Sequence, residues 1–219
     1  MQPLFLDNHL LALDKPGGLL TQPSGTDDDS LERQAKLFIK ETFGKPGEVF
    51  LEAVHRIDKP ACGIVLFART SKALSRLNDA MRRNLCQKTY RAILLGTPPT
   101  RQGTLEDWLV HDDFHAAVVP SGTRGARLCR LDYAVQKTFP DGRCIVEIDL
   151  QTGRYHQIRA QFAHRGCPIV GDVKYGAPKA YPNGAIALQH YRLTTPHPTK
   201  AETVAFESRI DLEAQFSNL

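Results

Sequence analysis

His55-Arg56-Ile57-Asp58-Lys59-Pro60 packs one carboxylate between basic residues and ahead of a proline. A carboxylate so placed serves as a base, as a nucleophile or as half of an ion pair, and its neighbours decide which. A second dense stretch, Leu150 to Gly176, reads LQTGRYHQIRAQFAHRGCPIVGDVKYG. It gathers Arg154, His156 and Arg159 where a helix is expected to begin, near Tyr155. A helix N-terminus disfavours several cations, so a plain basic surface does not account for the run. A rigid arginine next to an aspartate would favour the ionised carboxylate and lower its pKa. Taken alone, the Asp58 stretch leaves a catalytic role and a structural ion pair in a turn equally open.

His-Arg followed by Asp raises the catalytic loop of a protein kinase, and the sequence excludes it. Ile57 separates Arg56 from Asp58, Gly63 stands where the loop needs Asn, and the chain has neither D-F-G nor G-x-G-x-x-G. The cysteines are Cys62, Cys86, Cys129, Cys144 and Cys167, an odd number with no C-x-x-C spacing. This suggests reduced, mostly buried thiols. His156, His164 and Cys167 match no usual metal spacing, so no metal is expected.

The 219 residues suffice for one sizeable core, and a single domain spanning 1–219 is expected. No run of roughly 18 apolar residues suggests a membrane span, and the first residues lack the pattern of a signal peptide. A cytoplasmic protein is therefore expected. A net charge of +4 permits nucleic-acid binding without requiring it. The local clusters Arg82-Arg83, Lys88 with Arg91, and Arg154, Arg159 and Arg165 say more.

The elements that must position these residues read mainly as strands. Leu4–Leu6 and Leu10–Leu13 are separated by Asp7-Asn8, and Asp14-Lys15-Pro16-Gly17-Gly18 ends the second run with turn chemistry. Ser24 to Asp29 is expected to be a loop. Ser30 caps a helix with Leu31, Ala35 and Phe38 on its apolar face. Ile64–Ala68 is a buried strand led in by Gly63. Ser71 caps a helix with a Leu74, Leu77, Met81 stripe. Lys88 to Leu95 is a strand, and Gly96 to Gly125 is expected to form loops and short edge strands. Leu128–Thr138 and Cys144–Leu150 form a hairpin about Pro140-Asp141-Gly142. Ile186–Leu193 and Thr203–Phe206 are the last strands. The class expected is α+β, on a mixed, mainly antiparallel sheet with flanking helices and loops.

Four motifs in order resemble the RluA-type pseudouridine synthases. They are Asp14-Lys15-Pro16-Gly17-Gly18, His55-Arg56-Ile57-Asp58 with Gly63 and its apolar strand, Lys88-Thr89-Tyr90-Arg91-Ala92, and Thr152-Gly153-Arg154-Tyr155-His156-Gln157-Ile158-Arg159 with Gly166, Pro168 to Asp172 and Tyr175-Gly176. The resemblance covers roughly residues 4 to 206. Departures are Ile57 for the usual Leu, Tyr155 where Thr or Ser is common, and Leu188-Gln189-His190 in place of Leu-His-Ala. The chain is similar to minimal members without an N-terminal S4 RNA-binding domain.

The resemblance implies the pseudouridine synthase fold and isomerisation of uridine within RNA, without cofactor or metal. Asp58 is then the nucleophile or stabiliser of the sugar or base. Arg159 holds that carboxylate ionised, and Tyr90 stacks on the base. The target base must be flipped out to be reached. His55, Arg56, Lys15, Lys88, Arg154, His156 and Gln157 are expected to contact RNA, with Arg82 and Arg83 as further phosphate contacts. A stem-loop of ribosomal or transfer RNA is the expected partner, with the protein a monomer. Two other readings stay open. One is an RNA-binding module that keeps the fold without activity. The other is a nucleoside or glycoside hydrolase, which needs a second carboxylate. Asp172 is the candidate, although its motif position suggests a structural turn.

Overall fold

A computed structural model describes residues 1–25, 29–112 and 114–216. The expected Ser24–Asp29 loop falls partly outside them. In chain order the strands are β1 (Phe5–Leu6), β2 (Leu10–Lys15), β3 (Glu52–Ala53), β4 (Cys62–Ala68), β5 (Gln87–Leu94), β6 (Gln102–His111), β7 (Ala116–Val119), β8 (Arg127–Thr138), β9 (Cys144–Leu150), β10 (Leu188–Pro196) and β11 (Thr203–Glu207). The helices are α1 (Leu31–Thr42), α2 (Ser71–Arg82), α3 (Gln157–His164) and the short α4 (Leu212–Gln215). No helix among the described residues is long and apolar enough to cross a membrane. The architecture is the expected α+β one, with antiparallel ladders throughout the registered pairs and one isolated parallel bridge, Leu20 to Ser30.

The chain divides into two compact units, residues 1–87 with 190–211, and residues 88–189 with 212–219. In the first, β1, β2, β4 and β10 lie in that order, with β3 on β4 and β11 on β10. β4 is buried along its whole length, as the unbroken apolar run from Ile64 predicts. Its core joins Leu10, Ala12, Ile64, Leu66, Ala73, Leu77, Leu193 and Phe206. α1 begins where Ser30 accepts a hydrogen bond from Arg33 N–H. Ile39, not Phe38, completes its buried face with Leu31 and Ala35. α2 is capped one residue earlier than expected, by the Thr70 hydroxyl on Ala73 N–H, and it buries Ala73, Leu77 and Ala80 while Leu74 and Met81 are partly covered.

In the second unit the strand order is β5, β9, β8, β6, β7. The β8–β9 hairpin forms as expected, its turn closed by Phe139 N–H on Arg143 O at 2.8 Å. The sequence reading of Gly96 to Gly125 is corrected here, because β6 is a ten-residue strand rather than a short edge piece. Only Leu105 and Leu109 of β6 are buried, so its polar surface hid the alternation. α3 starts at Gln157 rather than near Tyr155, because His156 adopts a left-handed conformation, φ 51° and ψ 23°, and breaks the helical run.

One glycine sets how closely two strands of the first unit approach. Gly63, at the start of β4, has φ +106°, and a Cβ there would stand 2.3 Å from the His190 carbonyl oxygen of β10. Neither the backbone angle nor the space admits a side chain. Gly63→Ala is expected to destabilise the protein by roughly 3 kcal/mol or more. Gly142→Ala, where φ is +86° but nothing lies within 4 Å, should lose only about 1 kcal/mol. Urea unfolding midpoints of the two variants measure the difference.

Candidate active site

The residues picked out by sequence fall into two groups, one in each unit. In the first, Asp58 sits half-buried between β3 and β4, in a turn that Ala61 N–H closes on the Asp58 carbonyl at 3.0 Å. The peptides on both sides of it are fastened. Before it, the Thr21 hydroxyl donates to the Ile57 carbonyl at 3.1 Å and accepts from Ile57 N–H at 3.4 Å. After it, the Lys59 carbonyl accepts from Gly18 N–H at 2.8 Å and from Lys15 Nζ at 3.0 Å. The same ammonium donates to the carbonyls of Pro16 at 3.0 Å and Leu19 at 2.7 Å. Lys15 is 0% exposed. Where RNA contact was expected of it, the structure turns its charge onto its own loop and the Asp58 turn. Only a long side chain with three N–H donors bonds three carbonyls this way. Burial pushes the Lys15 ammonium down to about 8, with the Asp58 charge acting in the opposite sense.

His55 braces the same turn. Its Nε2 accepts from Leu66 N–H at 3.2 Å, and its ring meets that of His190 edge-on at 5.1 Å. Arg56 is exposed. Arg82 and Arg83 are exposed at the end of α2, and both bridge to Asp79, at 3.1 Å and 3.6 Å.

In the second group Tyr90 lies on β5 opposite Ile148 and is 8% exposed. The Lys88 ammonium lies 3.9 Å from the place a Cβ would take at Gly153. That draws Lys88 to the turn carrying exposed Arg154. His156 and Gln157, expected to contact RNA, are buried and bonded within the unit. His156 Nδ1 lies 2.9 Å from the Tyr175 hydroxyl. Gln157 Oε1 accepts from the Thr152 hydroxyl at 2.8 Å and Arg154 N–H at 3.1 Å. Its Nε2 donates to the Arg130 carbonyl at 3.2 Å and to Gln161 Oε1 at 3.1 Å. Thus Gln157 shapes the turn that presents Arg154.

Arg159, 4% exposed, forms a two-bond ion pair with Asp172: Nε to Oδ2 at 2.7 Å and a terminal nitrogen to Oδ1 at 2.8 Å. Its guanidinium also lies 4.9 Å from the Tyr175 ring centroid. The Asp172 carboxylate answers the question of cations at a helix start, since it supplies the negative charge that α3 lacks in its own first turn. Asp172 also holds a turn, its carbonyl accepting from Tyr175 N–H and Ala177 N–H, both at 3.0 Å. At 1% exposure, with both oxygens on Arg159, it is poorly placed to activate water. The sequence gives no role to Thr21 or to the hydroxyl of Tyr175. Tyr175 stands in one of the four motifs, whereas nothing near Thr21 marks it. Burial pushes Cys62 up to about 12 and Cys129 and Cys144 up to about 11, so these thiols stay protonated near neutral pH.

Comparison with known proteins gives a consistent result. Residues 9–164 match the model of the family described as RNA pseudouridylate synthase. The RNA pseudouridine synthase YhcT of Bacillus subtilis, itself called uncharacterized, is 31% identical over 209 residues, 94% of this chain and 67% of that protein. The dual-specificity RNA pseudouridine synthase RluA of Haemophilus influenzae is 30% identical, with 95% of this chain and 92% of that protein covered. Against the first curated relatives the chain spans between 52% and 67% of their length. In fold, it is similar to human RNA pseudouridylate synthase domain containing 4, with TM-score 0.80, 22% identity, and 98% and 92% of the two chains covered.

Two measurements check the site. Asp172→Ala leaves the Arg159 charge buried without this carboxylate and is expected to cost about 3–5 kcal/mol in urea unfolding. Lys15 makes stability depend on pH. Its pKa is about 8 when folded against 10.5 for an ordinary lysine side chain, so the unfolded chain holds more protons between those values. Stability from this group therefore rises as pH increases through that window and is flat below it. Unfolding free energies should show a rise between pH 8 and 10.5 that Lys15→Met lacks.

Proposed function

Because this chain belongs to the RNA pseudouridylate synthase family, we propose that it isomerises specific uridines to pseudouridine in structured RNA, with Asp58 as nucleophile. The N1–C1′ bond of the uridine breaks, the uracil turns, and a C5–C1′ bond forms. The proton lost from C5 is balanced by the one N1 gains, so no co-reactant enters. The observation that carries this reading is the Asp58 turn, fastened at Ile57 and at Lys59 while Asp58 itself stays partly in solvent. A nucleophile acts best when its backbone is held and its approach is fixed.

In this reading Tyr90 stacks on the flipped uracil, and Arg159, held by Asp172, is the third catalytic residue. Exposed Arg56, Arg154 and neighbouring Lys88 meet phosphates or the gap left by the base, and such binding weakens with salt. The substrate is a stem-loop of ribosomal or transfer RNA, which agrees in kind with relatives named as ribosomal large subunit and dual-specificity synthases. Both units serve one catalytic domain, and the protein works as a cytoplasmic monomer. A hydrolase is disfavoured, since Asp172 is bonded to Arg159.

The test is to incubate the protein with total RNA from a strain lacking it and map pseudouridine. Wild type should restore at least one site and Asp58→Asn none. Equal restoration by both removes Asp58 from the mechanism. RNA bound but unmodified by wild type would favour a binding module.

A further inference from the structure

Tyr155 replaces the Thr or Ser common in the family that this chain resembles, and nothing so far explains a large ring there. In the structure it belongs to an array of five rings in the second unit. The Tyr155 ring stacks on His156 at 3.9 Å and 19°, and His111 tilts against it at 5.4 Å. His156 meets Tyr175 edge-on at 5.6 Å, and His115 stacks on Tyr175 at 4.6 Å and 18°. The inner members, His156 and Tyr175, are buried and tied together, and the Tyr175 hydroxyl also accepts from Ala116 N–H at 2.8 Å. The outer members, His111, His115 and Tyr155, are exposed, Tyr155 by 40%.

Two observations say what covers this surface. The array is rigid at its base, since Tyr155 lies outside α3 and rests on a ring fixed by the left-handed His156. A pre-set ring stacks on a flat partner with little ordering cost. Together with one carboxylate, Asp112, which accepts from Phe114 N–H and His115 N–H, cations stand near the array in the unit. Arg154 is its exposed neighbour, the Lys88 ammonium lies beside Gly153, and the Lys174 ammonium donates to the carbonyl of Phe114, itself 71% exposed. Aromatic faces interleaved with cations are the composition of a surface that binds unpaired nucleotides. An apolar protein partner would instead meet exposed imidazole and charged groups.

We propose that Tyr155, backed by His156 and flanked by His111, is the stacking platform for an unpaired nucleobase of the substrate RNA outside the isomerised uridine. The proposal deepens the pseudouridine synthase reading, on which the word "substrate" rests. It makes Tyr155 a residue that selects which loops this chain accepts.

The experiment uses the full chain and hairpin RNAs with a uridine in the loop, carrying 2-aminopurine at each other loop position in turn. Wild type and Tyr155→Phe should quench the fluorescence at one position. Tyr155→Ser should lose that quench and bind about tenfold more weakly. An abasic nucleotide at the same position should erase the gap between wild type and Tyr155→Ser. The proposal is overturned if Tyr155→Ser quenches as wild type does, if no position is quenched, or if the gap survives the abasic substitution, which would mark a purely structural ring. Pseudouridine formation in the same hairpins is read separately. Its absence alongside an intact quench would fault the catalytic reading and leave the platform standing.

Discussion

A buried ammonium holds the first unit's chemistry in place. Lys15 bonds the carbonyls of Pro16, Leu19 and Lys59, joining the loop after β2 to the turn that carries Asp58. Pro16 and Leu19 are local to Lys15, whereas Lys59 is 44 residues away, so one ammonium supplies donors to carbonyls of two separate segments. Water could satisfy them singly but could not tie them to one another. The cost is a cation out of solvent, visible in its depressed pKa. The gain is a turn whose two flanking peptides do not drift, with Thr21 doing for Ile57 what Lys15 and Gly18 do for Lys59.

The second unit follows the same logic with the opposite partner type. Arg159 is buried against Asp172 through two contacts of a fork on a carboxylate, at 2.7 Å and 2.8 Å, a geometry a lysine cannot reproduce. The pair fixes the guanidinium plane, and Tyr175 is fastened in turn by His156 and Ala116 N–H. Polar groups that would be liabilities singly become a network because each member has partners. The neighbouring Gln157, with two bonds accepted and two donated, shows the same completeness.

Much of the fold could be read before any coordinates. β2, β4, the β8–β9 hairpin and β11 announced themselves by apolar runs and turn residues, and Ser30 by its side chain. β6 did not, because only Leu105 and Leu109 of its ten residues are buried and the rest read as loop. Periodicity starts α3 two residues early, because a left-handed His156 leaves no trace in it. At the site, residue types marked the right segments but not the direction each side chain takes. Lys15, His156 and Gln157 looked like RNA contacts because they are polar and lie in motifs. Whether a polar side chain faces solvent or its own backbone depends on which carbonyls the fold brings near, and that is a non-local fact.

The division between buried and exposed polar residues therefore separates two kinds of motif position. Lys15, His156, Gln157 and Asp172 are internal, and their partners are backbone groups or neighbouring buried side chains. Arg56, Arg154 and Tyr155 are exposed. Tyr155 is the sharpest case. A Ser or Thr there would expose less apolar area than a ring that is 40% exposed. On the proposed function, the buried set would hold the turns in shape and the exposed set is what an RNA would meet.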